Sequence, residues 1–356
     1  MLDLENLEHR ARERLSATMY DYFAGGADDE TTLADNPVAW KRIRLVPRVL
    51  RDASTVSTAT EVLDTPMAIP VIVGPWAFQG LANAGGERAT AQGAAAAGAV
   101  MVVSTVATSS LEEVAEAAAG SPLWFQFYLL RDRGMTRELL HRAEAVGYRA
   151  LVMTVDKLPV SGRRRRLAAD RFSLPEGTPV PNFGYVVPED HDAGPDGYLR
   201  GLLDASVTFA DLEWACAESG LPLVVKGILN PQDAVAAVEA GAAGVVVSNH
   251  GGRQLDGSIA TADALPAVVD AVAGRVPVLV DGGIRSGADV VKALAIGAAA
   301  VLVVRPVIWG LVVHGAPGVE AVLNELTAEM AHAMALCGAR TVADIDRSLV
   351  WGMAGA

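Results

Sequence analysis

The chain has 356 residues, enough for one large domain or two ordinary ones, and its 51% apolar and 20% charged residues exclude a disordered chain. A formal charge of −13 excludes a general nucleic-acid binder, which needs a basic surface. Cys216 and Cys337, with no C-x-x-C pair and no Cys/His cluster, exclude a structural zinc site and fit a reduced, cytoplasmic setting.

The N-terminal MLDLENLEHRARERL is charged and helical in character, without the apolar centre of a signal peptide. No apolar run reaches the length of a membrane span, so no membrane partner is expected. Residues 1–60 are expected to form a helical lead-in with irregular structure. Eight short apolar runs follow: Ala68–Val73, Val100–Ser104, Leu123–Phe127, Ala150–Val155, Leu223–Lys226, Gly244–Ser248, Val276–Val280 and Ala300–Val304. They are continuous rather than alternating, as parallel strands covered on both faces should be.

Amphipathic stretches with helix-start signals separate them. Ser110 and Glu113 have capping-box spacing. Asn230, Pro231 and Asp233 supply an N-cap, a first-turn proline and an early acid. Ser286 precedes GADVVKALAIGA, whose apolar spacing suits a helix on a sheet. The repeat predicts an α/β fold, a (β/α)8 TIM barrel, in preference to a doubly wound open sheet. Residues 1–356 are expected to be a single domain, with residues 157–208 a long insertion or lid loop after the fourth strand.

In such a barrel the C-terminal strand ends converge on one site. Those ends read Pro75-Trp76-Ala77, Ser104-Thr105, Gln126 with Tyr128, Thr154 with Asp156, Lys226, Ser248-Asn249-His250, Asp281 and Arg305. So many polar groups at one mouth are hard to explain by packing, although single members such as Ser104, Thr105 or Asn249 are equally explained as strand caps. SNHGGRQLD, Ser248–Asp256, sets His250 and Arg253 three apart on a glycine-containing turn. Imidazole exchanges a proton near neutral pH, and guanidinium grips a carboxylate through paired hydrogen bonds. Together they suit a substrate whose carboxylate lies beside a group that loses a proton. DGGIRSG, Asp281–Gly287, with Arg305 after the next strand, offers glycine-freed N–H groups, a helix start and two guanidiniums to a phosphate. No G-x-G-x-x-G follows the first strand, which disfavours a Rossmann dinucleotide site.

These stretches, with YDYFAGGADDE (20–30), STVATSSLEEVA (104–115), WFQFY (124–128), TVD (154–156), GRR (162–164) and VKG (225–227), closely resemble the FMN-dependent 2-hydroxy acid oxidising enzymes. That family includes glycolate oxidase, lactate oxidase, mandelate dehydrogenase and hydroxymandelate oxidase. The resemblance spans about residues 4–350. It implies His250 as active-site base, oriented by Asp156. Arg253 and Arg164 would bind the substrate carboxylate with help from Tyr22, and Tyr128 would hydrogen-bond the substrate oxygen. Lys226 would sit at the N1–C2=O edge of the flavin. The Pro75, Trp76 and Ala77 backbone, Ser104, Gln126 and Thr154 would contact the ring system, with Ser248 nearby in the cofactor site. Asp281, Gly282, Gly283, Arg285, Val304 and Arg305 would hold the ribityl and phosphate groups.

The implied reaction oxidises a small (S)-2-hydroxy acid to the 2-keto acid, with dioxygen reoxidising FMN and giving hydrogen peroxide. Nothing resembles a fused haem domain, and the insertion lacks the apolar character of a membrane anchor, which favours oxygen as acceptor. The resemblance also implies a homo-oligomer, a tetramer or octamer. Trp76 stands where the family generally has a small residue. Val106 replaces a bulky aromatic of glycolate oxidase, which points to an aryl, mandelate-like substrate. Val304 replaces a glycine, and Asn83-Ala84-Gly85-Gly86 replaces a usual HPEG-like turn. The KLPVSG after Asp156 is one residue longer than the common pattern, so Arg163 is the alternative to Arg164. A tailoring oxidase acting on a biosynthetic intermediate and a non-catalytic flavin- or phosphate-binding barrel are the competing functions. Flavin-type isopentenyl diphosphate isomerases and IMP dehydrogenase-like barrels do not require Tyr22, Tyr128, Asp156, His250 and Arg253 together.

Overall fold

The structure, a computed structural model, describes residues 3–157, 174–187 and 201–352. Arg163 and Arg164, and most of the expected insertion, lie outside the described residues. The lead-in forms helices Leu4–Arg14, Ala17–Ala24 and Thr31–Arg42. A hairpin of β1 (Thr60–Val62) and β2 (Thr65–Met67) follows. The eight apolar runs then form β3 (Val71–Val73), β4 (Met101–Ser104), β5 (Leu123–Phe127) and β6 (Ala150–Thr154), and, after a small hairpin of β7 (Pro179–Val180) and β8 (Tyr185–Val186), β9 (Leu223–Ile228), β10 (Gly244–Val247), β11 (Val278–Val280) and β12 (Ala300–Val303). The eight strands β3–β6 and β9–β12 pair in parallel and in chain order, and β12 closes on β3. The fold is therefore a closed (β/α)8 barrel.

Strand bounds correct the sequence reading in a consistent way. The first run was expected from Ala68 but pairs only from Val71, and the seventh was expected from Val276 but pairs only from Val278. Pro70 and Pro277 have no N–H to donate to a ladder, so each strand begins after its proline. The fifth runs two residues beyond Lys226, through a register shift in which Val246 opposes Lys226 and Val247 opposes Ile228. Gly227, at φ +118, is the extra residue of this bulge.

The helix-start signals hold. Ser110 with Glu113 and Ser286 with Asp289 make reciprocal capping boxes, and the Asn230 side chain accepts from Gln232 N. One apolar core lies between barrel and helices. A second, containing Ile72, Val102, Trp124, Val152 and Leu279 with Val62 and Met67 of the hairpin, fills the barrel's N-terminal half. Among the described residues no helix is long and apolar enough to cross a membrane.

Candidate active site

At the other end of the barrel the inward positions turn polar. Ser104, Gln126, Thr154, Lys226 and Asp281 are all buried and line a cavity of about 960 Å³, its open mouth included. Lys226 Nζ donates to Ser248 Oγ at 3.0 Å and lies 3.2 Å from Asp281 Oδ2, while Ser248 Oγ donates to the same Asp281 oxygen at 2.9 Å. Burial works against the Lys226 charge, but Asp281 and then Asp156 outweigh it and hold its pKa above the usual value. The mouth thus carries a permanent, desolvated cation.

The turn after β10 places the expected base. His250, Gly251 and Gly252 all have positive φ (55°, 64° and 74°), a left-handed run that turns the chain back over the barrel. A Cβ on Gly252 would stand 2.6 Å from Leu33 N, so glycine is required where the lead-in helix Thr31–Arg42 crosses. His250 tolerates the strained conformation because its N–H donates to Ser248 Oγ at 3.1 Å and its Nδ1 lies 2.7 Å from Asp156 Oδ1. Asp156 owes its place to the Gly227 bulge, where any Cβ would come within 2.6 Å of the Asp156 Cβ. Burial alone would raise the Asp156 pKa, but His250 and Lys226 bring it below the ordinary carboxylate value. The carboxylate therefore accepts from Nδ1–H and leaves the lone pair on Nε2. Burial lowers the His250 pKa, Asp156 offsets part of that, and Lys226 and Lys157 lower it again. The imidazole is a neutral base at neutral pH.

Arg253 is buried beside it. Its Nη1 donates to Gly25 O at 2.8 Å, and its guanidinium lies over the rings of Trp76 and Tyr22, at 4.3 and 5.5 Å. Arg305 begins the last barrel helix and donates to Gly251 O and to the same Gly25 O. The YDYFAGG segment is thus a wall of the cavity. The turn after β11 is equally constrained: Gly282 and Gly283 both have φ near +86°, and a Cβ on Gly283 would lie 2.5 Å from the Asn36 backbone. Burial lowers the pKa of Arg285, with Glu8 and Asp289 offsetting part of it.

Tyr22, Pro75, Trp76, Ala77, Tyr128, His250, Arg253, Gly282, Gly283, Arg285, Val304 and Arg305 all line this one cavity. Ser248 and Asp156 do not line it; they lie behind, holding Lys226 and His250. Val304 has room because Gly74 has no side chain: a Cβ there would meet Val304 Cγ2 at 2.7 Å. Val106 is buried in the lining. Sequence reading missed Lys157 and Phe78, which also line the cavity; adjacency to Asp156 was the available signal for Lys157.

The residues fit FMN. Gln126 Nε2 and Asp281 Oδ1 are buried without a partner among the described residues, a donor for a ring carbonyl and an acceptor for a ribityl hydroxyl. Arg285, Arg305 and the paired glycines supply the charge and open backbone that a phosphate needs.

Residues 11–352 match the family described as FMN-dependent dehydrogenase. The chain is 49% identical to an L-lactate oxidase of Nostoc sp. over 98% of each chain. It is 43% identical to the human 2-hydroxyacid oxidase 1, over 98% of this chain and 96% of that protein. The crystal structure of a mandelate oxidase with (S)-4-hydroxymandelic acid superposes with a TM-score of 0.91 at 40% identity, covering 98% of each chain.

Proposed function

The chain belongs to the FMN-dependent dehydrogenase family, as an FMN-dependent 2-hydroxy acid oxidase, and on that premise we propose which residues carry the reaction and which acid it takes. Overall, R–CH(OH)–COO⁻ and dioxygen give R–CO–COO⁻ and hydrogen peroxide. Bound FMN supplies the two-electron acceptor. Arg253, with Arg164 or Arg163 from the insertion, holds the carboxylate, and Tyr22 adds its hydroxyl. This orients the substrate hydroxyl and Cα toward His250. His250 Nε2 takes one proton, and Asp156 stabilises the imidazolium through Nδ1–H. Tyr128 hydrogen-bonds the oxygen that becomes the ketone. Lys226 would supply positive charge to the ring system. Pro75, Trp76, Ala77, Ser104, Gln126 and Thr154 would hold the rings, and Asp281, Gly282, Gly283, Arg285, Val304 and Arg305 the ribityl phosphate.

The observation that carries this reading is that His250, held at 2.7 Å by Asp156 behind it, lines one cavity with Arg253. For the substrate, the small Val106 beside Phe78 and Trp76 favours an (S)-2-hydroxy acid with an aryl side chain, and the mandelate oxidase neighbours agree in kind. A homo-oligomer is supported by exposed Val49, Leu50, Leu336 and Trp351, on segments joined by the Arg48 N to Cys337 O and Trp351 N to Arg44 O hydrogen bonds.

The test is an anaerobic titration of the FMN-loaded protein with mandelate, lactate and glycolate. Bleaching of the flavin band, with recovery in air, is expected for all three, fastest for mandelate. Slower bleaching by mandelate than by lactate or glycolate removes the aryl preference. No bleaching by any of them removes the assigned roles.

A further inference from the structure

Trp76 is the cavity residue at which this chain departs from the small side chain general in the family. Its side chain is only 9% exposed, in the cavity wall. The Arg253 guanidinium carbon lies 4.3 Å from the ring centroid, and that of Arg305 lies 5.7 Å away. Both arginines also donate to one acceptor, Gly25 O, at 2.8 and 3.2 Å. Tyr22 lies within 5.5 Å of Arg253, and Phe23 backs the indole at 6.0 Å.

We propose that Trp76 is a positioning residue that fixes the guanidinium of Arg253 for the substrate carboxylate and so sets how tightly the acid is held. Burial strips a guanidinium of water on its flat faces, which in-plane hydrogen-bond acceptors do not cover. The face of an indole, the best of the aromatic partners, supplies negative quadrupole where water has been excluded. With Trp76 and Tyr22 both in contact, Arg253 is restrained before substrate arrives, and less rotamer freedom is lost when the carboxylate binds. A small residue at this position would remove the face contact that lies 4.3 Å from the guanidinium carbon. The indole N–H, buried without a partner among the described residues, takes no part in this; the ring face does.

This inference rests on Arg253 being the carboxylate anchor. The experiment compares wild type, Trp76→Phe and Trp76→Leu as FMN-loaded proteins, with (S)-mandelate and its methyl ester as substrates. Trp76→Leu is expected to raise KM for the acid about 10-fold more than KM for the ester, any change in flavin contact bearing on both substrates alike. Trp76→Phe, which keeps a weaker ring face, is expected to raise the acid KM about threefold. Calorimetric binding of the product 2-keto acid, phenylglyoxylate, should weaken by the same factors. Equal movement of acid and ester, or no movement of either, overturns the proposal. If Trp76→Leu does not accumulate as folded flavoprotein, Trp76→Phe decides by the same acid-against-ester comparison. Wild type that turns over neither substrate refutes the proposed function instead, and phenylglyoxylate binding then still decides whether the stack governs carboxylate affinity.

Discussion

Inside the barrel, Val102, Trp124, Val152, Val224, Val246 and Leu279 form the lower layer, and Ser104, Gln126, Thr154, Lys226, Ser248 and Asp281, two residues further along the same strands, form the mouth. Side chains two apart share a face of a strand, so the backbone treats the two layers alike. The difference lies in what each layer leaves unsatisfied. Below, the polar exception is the indole N–H of Trp124, and it is met at 3.3 Å by Thr65 Oγ of the sealing hairpin. Above, a lysine, an aspartate and an amide are buried with hydrogen-bonding capacity to spare. One step along the pleat therefore separates residues whose loss costs stability from residues whose loss costs chemistry.

The largest expected effect tests the upper layer. His250→Asn suits the left-handed backbone, which asparagine tolerates, and keeps a polar partner for Asp156. Loss of the base should cut kcat about 100- to 10,000-fold, with the urea unfolding midpoint nearly unchanged. A rate close to wild type would mean that proton removal lies elsewhere. In the lower layer, Trp124→Ala should reverse the pattern. It should cost about 3–5 kcal/mol in urea unfolding, while turnover per bound flavin stays within about threefold. A collapse of turnover in protein that is fully folded and flavin-loaded would show that the two layers are coupled and blur the division.

How far this division could be read from the sequence follows from the same physics. The eight strands were legible because parallel strands packed on both faces read as apolar runs, and that same property hid which residues pointed inward. The polar strand ends, the SNHGGRQLD turn and the DGGIRSG turn were legible because charge and glycine are rare in such runs. The β1–β2 hairpin was not, because its central residues Leu63 and Asp64 adopt φ of 52° and 53° without the Asn-Gly or Asp-Gly that normally marks such a turn. The role of Asp256 was hidden too. Helix Thr31–Arg42 begins after Glu30 in a left-handed conformation with no cap of its own, and the Asp256 carboxylate accepts from Thr31 N and Thr32 N across 225 and 224 residues of chain. Local capping rules do not see such a partner. Glu87 is likewise non-local: fully buried, it accepts from Gln79 N and Thr108 N and ties the loops after β3 and β4 together.

The smallest effect, a displacement of a pH profile, sharpens the comparison most, because it measures how dry the mouth is. The base must be neutral to act, so kcat/KM should rise with pH as His250 loses its proton and then level off. Three charges bear on that step: Asp156 favours the imidazolium, while Lys226 and Lys157 oppose it; burial opposes it most. With the folded pKa lowered, the rise should be centred below the ordinary imidazole value of 6.5. Asp156→Asn removes the one charge that favours the imidazolium, so the rise should move further down while its plateau falls. A rise centred above 6.5 in wild type would mean that the carboxylate outweighs burial. The mouth would then be solvated like a surface cleft, and its contrast with the dry layer one pleat below would rest on side-chain identity rather than on exclusion of water.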